Sequence, residues 1–138
     1  MKLSLLVEEG EKLSLIPFNR SRDLKYWEEI GNGAADTHVF TREKPSMYIV
    51  TDGQENRLGV VGLFYQEGKP WTEIAIDPKY RGHGLLSKFY ELLAKKHGLK
   101  RLWISPNISN TASVKSHEKA GFVRVGEEYG KVIAYKDF

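Results

Sequence analysis

Between residues 74 and 97 the chain passes from an apolar strand through a glycine-containing turn into an amphipathic helix. The strand ends at Ile74-Ala75-Ile76, the turn contains Arg81-Gly82-His83-Gly84, and the helix begins near Leu85. Glycine reaches backbone angles that strain other residues, so successive N–H groups of such a turn can converge on one anion. The first helical turn adds unpaired N–H groups and the positive end of the helix dipole. The segment therefore predicts a main-chain cradle for a diphosphate and a nucleotide-like cofactor.

A glycine turn of this kind also occurs as a tight strand-to-helix connection that binds nothing. Only a second motif at a suitable spacing separates the two interpretations. In either case the main chain, and not the His83 imidazole, forms the turn, so we expect this side chain to face solvent.

Length and charge limit the number of domains and the class of ligand. The 138 residues suffice for one compact domain, which we expect to span residues 1–138. The net charge of +3 and the pI near 9.0 suit an anionic ligand but fall short of a nucleic-acid-binding footprint. The absence of cysteine excludes disulfides and thiol chemistry and fits a reducing compartment. Because neither a signal peptide nor a membrane-length apolar segment is recognisable, we expect a cytoplasmic protein without membrane contact.

Hydrophobic periodicity predicts the order of the elements. A helix is expected over 22–30 with Ser21 as its N-cap, followed by a polar loop over 31–45 that approaches substrate. Near the start, Leu3, Leu5 and Val7 alternate as in a strand. The remaining predicted elements are strands at 46–50, 58–65 and 71–76, a helix from 85 to 97, a strand at 99–104, a helix from 110 to 120, and a hairpin of 122–127 with 132–135.

Two motifs together resemble one protein family. The first is Arg81-Gly82-His83-Gly84-Leu85-Leu86, and the second runs from Asn110-Thr111-Ala112-Ser113 to His117-Glu118-Lys119-Ala120-Gly121-Phe122. Over residues 71–127 they resemble the R/Q-x-x-G-x-G/A and N-x-x-[AS] … Y-E-K-x-G-F patterns of GNAT-type N-acetyltransferases. The resemblance implies a single α/β (α+β) domain with a mixed, mostly antiparallel central sheet and helices on both faces. It also implies acetyl-CoA as cosubstrate.

The resemblance further implies how coenzyme A would be held. The N–H groups of residues 82–87 would bind its diphosphate, and the main chain of Ile74 and Ile76 would pair with the pantetheine arm like an added strand. The arm would enter where strand 71–76 separates from strand 102–105, with Asn110 orienting it or the neighbouring strand. The implied cofactor-binding residues are Ile74, Ile76, Arg81, Gly82, His83, Gly84, Leu85, Leu86, Ser87 and Asn110.

The reaction implied by the resemblance is direct attack of an amine on the thioester within a ternary complex. The acceptor would be an amine of a small molecule, a peptide or a protein. Relatives often place a tyrosine near the sulfur, and His117 holds that position here. Imidazole titrates near neutrality and can protonate a leaving thiolate or relay a proton. The alternative is a histidine held by structural hydrogen bonds.

The general base is open, because residues 102–107 lack the carboxylate that some relatives carry there. Glu73, on the strand before the glycine turn, is the best candidate, and a chain of water molecules is the substitute. A solvated strand residue is the plainer interpretation of Glu73. Leu86 also departs from the family pattern, which has Gly or Ala there, and its side chain leaves less room beside the phosphates.

Other functions stay open at this level. The departures at Leu86 and His117 allow a coenzyme A-binding sensor or interaction protein with weak catalysis. The basic segment 95–101 allows a nucleic-acid-binding module, although a solvated helix end accounts for it as well. The last hairpin offers an edge strand through which a homodimer can form. No metal-ligand spacing stands out among His38, His83, His97 and His117.

Overall fold

The computed structural model describes residues 13–30 and 46–138. The predictions for Leu3 to Val7 and for the loop 31–45 lie outside the described residues. The elements are β1 (Ser14–Pro17), α1 (Arg20–Ile30), β2 (Ser46–Thr51), β3 (Arg57–Gln66), β4 (Lys69–Ile76), a 3-10 turn (Pro78–Tyr80), α2 (Leu85–His97), β5 (Arg101–Ile104), α3 (Thr111–Lys119), β6 (Val123–Glu128) and β7 (Lys131–Asp137).

All seven strands form one sheet in the order β1-β2-β3-β4-β5-β7-β6. Neighbouring strands are antiparallel except β4 and β5, which are parallel and are connected through α2. A parallel pair needs a crossover connection, and the glycine turn with α2 provides it. The predicted mixed, mostly antiparallel sheet is confirmed.

Two hairpins close through successive residues with positive φ. Glu67 and Gly68 have φ of 54° and 75°, and Tyr129 and Gly130 have φ of 51° and 74°. Such pairs make the two-residue turns whose twist matches that of the flanking strands. The sequence pattern predicts a connection between the strands 58–65 and 71–76 and a hairpin of 122–127 with 132–135, and both are confirmed.

Helices cover both faces of the sheet. One face packs against α2 and α3, with Phe89, Leu93 and Leu102 at most 1% exposed. The other face packs against α1 through Tyr26 and Trp27. Because side chains alternate along a strand, β3 is buried on both sides and its sequence is almost continuously apolar. The sheet positions the glycine turn at the end of β4, between these two layers.

Several predicted boundaries shift by one or two residues, and two of these shifts have local reasons. The first helix begins at Arg20, and its cap is Asn19, whose side-chain oxygen accepts from the Arg22 N–H at 3.1 Å. The fourth predicted strand begins at Arg101 because the Leu99 N–H donates to the Ala94 carbonyl at 2.9 Å and closes α2. Neither Ser21 nor Leu99 has the role that the sequence pattern predicts.

The β6 strand lies at the edge of the sheet, and all six of its residues are exposed. Its apolar side chains include Val123 and Val125, at 52% and 55% exposure. Pairing between two copies requires an open edge of this kind. The homodimer itself stays a prediction.

Candidate active site

The glycine turn has the backbone geometry of an anion cradle. Gly82 and Gly84 have φ of +84° and +73°, and a Cβ at either position would meet no atom within 4 Å. Gly84 is the N-cap of α2 and provides no side-chain hydrogen bond to the helix. Within the described residues, the N–H groups of residues 82–84 make no hydrogen bond. The first N–H groups of α2 add donors without intrahelical partners, so the turn fits a diphosphate group.

Side chains brace this turn from behind. The Arg81 Nε donates to the Ile76 carbonyl at 3.0 Å, and its Nη2 donates to the Ile30 carbonyl at 3.2 Å. The buried Asp77 carboxylate accepts from the Lys79 N–H at 3.0 Å and from the Tyr26 hydroxyl at 3.0 Å. The turn is therefore tied to β4 and α1, and the hydrogen bonds of Arg81 run to the protein main chain.

The other predicted cradle side chains lie around the same turn. His83 is exposed, as expected from the sequence. Leu86 and Ser87 are half-buried, and Leu86 packs against the core beneath α2. Leu85 is fully buried and anchors the start of the helix. Because Leu86 contributes to the core, its size is accommodated by packing.

A gap between β4 and β5 opens beside the turn. Their parallel ladder registers a single residue pair, Trp71 with Trp103. On the opposite edge of β4, the Asp77 N–H donates to the Leu58 carbonyl of β3 at 2.8 Å. Main-chain groups alternate along an antiparallel strand, so those of Ile74 and Ile76 point away from β3 and towards the gap. The sheet therefore brings the predicted pantetheine-binding backbone and the glycine turn together.

His117 lies in the interior on the α2 side of the sheet, at 5% exposure. Its Nδ1 is 2.7 Å from the Ser113 carbonyl oxygen, and its Nε2 is 2.8 Å from the Tyr90 hydroxyl. Burial lowers the pKa of His117 and favours the neutral imidazole. Both ring nitrogens thus have hydrogen-bond partners. The prediction that this ring exchanges a proton with the leaving group stays a prediction.

Asn110 caps α3, since its side-chain oxygen accepts from the Ser113 N–H at 3.2 Å. This bond fixes the helix start about two turns before His117. The family-implied role of Asn110 towards coenzyme A stays a prediction.

Glu73 lies on the opposite side of β4 from His117. Ile74 and Ile76 pack into the α2-side core, whereas Trp71 and Ala75 pack against the α1-side core. By alternation, Glu73 belongs to the α1 side, where it is half-buried. The structure therefore separates the two predicted catalytic side chains across the β4–β5 gap.

Sequence reasoning missed two residues of this region, Tyr90 and Thr72. Tyr90 fits the apolar face of α2 and is 27 residues from His117, so no local motif connects them. The Thr72 hydroxyl donates to the Trp103 carbonyl at 3.0 Å and joins β4 to β5. Only the register of the strands brings these groups together.

The basic segment 95–101 lies at the far end of α2 from the cradle. A helix of 13 residues separates the two ends by about 20 Å. Arg101 pairs with Asp137 and stacks on Tyr135, and the His97 Nε2 lies 2.8 Å from the Tyr48 hydroxyl. This geometry is that of a solvated helix end.

Two absences hold over residues 13–30 and 46–138. In these ranges no three His, Cys, Asp or Glu side chains are grouped as a metal site requires. None of the helices there combines the length and apolar character needed to cross a bilayer.

The chain is similar to known proteins in sequence pattern and in fold. A family model described as "Acetyltransferase (GNAT) domain" matches residues 15–123, whereas a search of curated proteins gave no match. Dodecameric spermidine N-acetyltransferase from Vibrio cholerae has a similar fold, with a TM-score of 0.65, 19% identity, and coverage of 91% of this chain and 93% of that one. The Vibrio cholerae enzyme in complex with CoA and spermine gives a TM-score of 0.64, 19% identity, and coverage of 91% and 95%. The match over residues 15–123 confirms the resemblance carried by the two motifs, and the chain belongs to the GNAT acetyltransferase domain family.

Proposed function

We propose that this protein transfers the acetyl group of acetyl-CoA to an amine by direct attack in a ternary complex. The observation that carries the proposal is the position of the cradle. Main-chain donors of residues 82–84 lie at the start of α2, beside a parallel strand pair that registers only Trp71 with Trp103. One region thus offers a diphosphate site and a gap for an extended arm.

In this proposal the N–H groups of residues 82–87 bind the diphosphate, and the main chain of Ile74 and Ile76 binds the pantetheine arm. Acetyl-CoA supplies an acetyl group already activated as a thioester. Arg81 keeps the turn in place through its bonds to Ile76 and Ile30. Because these binding groups are main-chain atoms held by secondary structure, the site is organised before the cofactor arrives.

The acceptor amine would approach from the α1 side of the gap. On the α2 side, Thr72, Tyr90 and His117 are each buried and hydrogen-bonded, which leaves no route for a polar acceptor. On the α1 side, the buried Trp71 indole N–H has no partner among the described residues and remains a donor for a ligand. Glu73 lies on this same side, two residues along β4.

Glu73 is the proposed proton acceptor for the attacking amine, with a water chain as the alternative. On the opposite face of the sheet, His117 is proposed to support the reaction through its hydrogen bonds to Ser113 and Tyr90. The acceptor class beyond an amine is set by residues that line the α1 side. The similar Vibrio cholerae enzyme is described as a spermidine N-acetyltransferase, so polyamines belong in any acceptor panel.

The activity is tested by incubating the purified protein with acetyl-CoA and a panel of polyamines, amino acids, aminoglycosides and lysine peptides. We expect thiol release with at least one acceptor and a product 42 mass units heavier, roughly the mass of an acetyl group replacing hydrogen. Calorimetry with coenzyme A is run in parallel. Tight binding without turnover on any amine would favour the sensor function, and absence of binding would contradict both.

Replacing Glu73 by glutamine is expected to lower kcat on the order of 100-fold, because the amide keeps the shape but cannot accept the ammonium proton. The affinity for coenzyme A should be unchanged, since the cradle does not involve this side chain. Glu91→Gln is the matched control, as Glu91 is exposed on α2 and pairs with Lys88. A variant at Glu73 with the rate of the native protein would assign the base to water.

A further inference from the structure

We infer that Tyr90 is a positioning residue for acetyl transfer, which holds His117 in one tautomer on the side of the sheet where Thr72 joins β4 to β5. The inference rests on the proposed function, in which the pantetheine arm lies in the gap that opens where β4 and β5 separate. It assigns a role to a buried hydroxyl on the otherwise apolar face of α2.

The tautomer of His117 follows from its partners. A main-chain carbonyl only accepts hydrogen bonds, so the Nδ1 atom, 2.7 Å from the Ser113 oxygen, carries the proton. In the neutral ring the Nε2 atom then has a free lone pair and must accept. The group 2.8 Å from it is the Tyr90 hydroxyl, which therefore donates.

Tyr90 is suited to remain a donor. Its side chain is 1% exposed, and burial raises the pKa of its hydroxyl, so the proton stays on oxygen. Its ring packs edge-on against Phe122, with the ring centroids 5.0 Å apart. The orientation of the hydroxyl towards His117 is thus determined by packing as well as by the hydrogen bond.

The same hydroxyl is next to the strand gap. Thr72 is buried on the same side of the sheet, and it is a smaller cause that lowers the pKa of Tyr90 against the rise from burial. The Thr72 hydroxyl also donates to the Trp103 carbonyl, 3.0 Å away. Since Trp103 is the β5 residue in the single registered pair, the Thr72 hydrogen bond lies at the last point of β4–β5 pairing, on the side of the sheet where Tyr90 and His117 lie.

This arrangement limits what His117 can do. Its Nδ1–H is engaged with Ser113 and its Nε2 is an acceptor, so the ring has no free proton to give to a leaving thiolate. Its contribution is to keep the Tyr90 hydroxyl in place. Of the two alternatives, a ring that exchanges a proton and a ring held by structural hydrogen bonds, this geometry favours the second. Buried hydrogen-bonded groups keep one geometry because the loss of a partner leaves an unsatisfied group.

The test compares Tyr90→Phe with Tyr129→Phe, whose side chain is fully exposed. In the native protein, long-range ¹H–¹⁵N spectra should show His117 as the neutral Nδ1–H tautomer, and in Tyr90→Phe the Nε2 resonance should shift. We expect kcat to fall on the order of 10- to 100-fold, because a small displacement of the thioester is costly. The Kd for coenzyme A should change by less than about twofold, since cradle donors are unaffected.

A second pair of variants guards against a fold defect in Tyr90→Phe. Thr72→Val removes the hydroxyl and keeps the side-chain shape, whereas Thr72→Ser retains the hydroxyl, so the first should lower kcat and the second should restore most of it. Native kcat in both Tyr90→Phe and Thr72→Val, or an Nε2–H or charged His117 in the native spectrum, would overturn the inference. If the native protein neither binds coenzyme A nor turns over, the proposed function fails, and the spectra still report the tautomer.

Discussion

Replacing Gly84 by aspartate should weaken coenzyme A binding on the order of 100- to 1000-fold while the protein stays folded. A carboxylate at this position projects into the open space of the cradle, where a Cβ meets no atom within 4 Å. At about 4 Å from a phosphate, a like charge costs about 4 kcal/mol at the effective dielectric constant of a protein surface. A loss of about 1.4 kcal/mol is a factor of ten in Kd. Calorimetric titration with coenzyme A measures the change.

Two controls separate charge from backbone strain. Gly84→Asn introduces a side chain of nearly the same size without charge, and both Asn and Asp tolerate the left-handed conformation better than other residues. Gly68→Asp places the same residue at φ +75° in a hairpin turn away from the cradle, also with no atom within 4 Å of its Cβ. We expect a small loss for Gly84→Asn and none for Gly68→Asp. Native affinity in Gly84→Asp would show that the diphosphate is bound elsewhere.

Replacing Gly59 by alanine should destabilise the fold by about 3 kcal/mol or more. A Cβ here would overlap the Ala75 carbonyl oxygen and would lie 2.8 Å from the Phe89 ring and 3.0 Å from the Ile76 Cα. Overpacking of a close-packed interior costs about 1–3 kcal/mol, and backbone atoms cannot move aside as a flexible side chain does. Domains of this size have a free energy of unfolding of about 5–15 kcal/mol. Urea unfolding with linear extrapolation measures the loss.

The control for Gly59→Ala is Gly126→Ala on the exposed edge strand, where no atom lies within 4 Å of an added Cβ. We expect its free energy of unfolding to stay within about 0.5 kcal/mol of the native value. Because Gly59 pairs with Ile76 at the end of β4, any folded Gly59→Ala protein should also bind coenzyme A more weakly. Equal stability of the two variants would mean that β3 and β4 are far enough apart at Gly59 to accommodate a Cβ.

The glycine turn and the helix starts were predictable because their causes are local. Positive φ at Gly82 and Gly84, the cap at Asn110 and the turn at Tyr129-Gly130 each depend on residues within a few positions of one another. The boundary at Ser21 failed although it is also local. Asn19 caps the Arg22 N–H while its own N–H donates to the Asp23 carboxylate at 2.9 Å, and propensity alone does not rank Asn19 above Ser21 as the cap.

The surroundings of the predicted catalytic residues were not predictable in this way. The second motif identifies His117 as a candidate, but its hydrogen bond goes to Tyr90 on another helix, 27 residues earlier in the chain. The side of the sheet occupied by Glu73 depends on which alternate residues of β4 meet α1 and which meet α2. Contacts of this range are set by strand register and helix packing.

Taken alone, the amino-acid order determined the order of strands and helices from residue 46 onwards, the glycine turn before α2 and the family, since each arises from short-range backbone preferences or contiguous motifs. Tertiary structure decided that both ring nitrogens of His117 have partners, that Glu73 lies on the opposite face of the sheet from it, and that Tyr90 and Thr72 bond to His117 and Trp103. The physical reason is that a buried polar group must find its partner in space, and the nearest suitable partner is often remote along the chain.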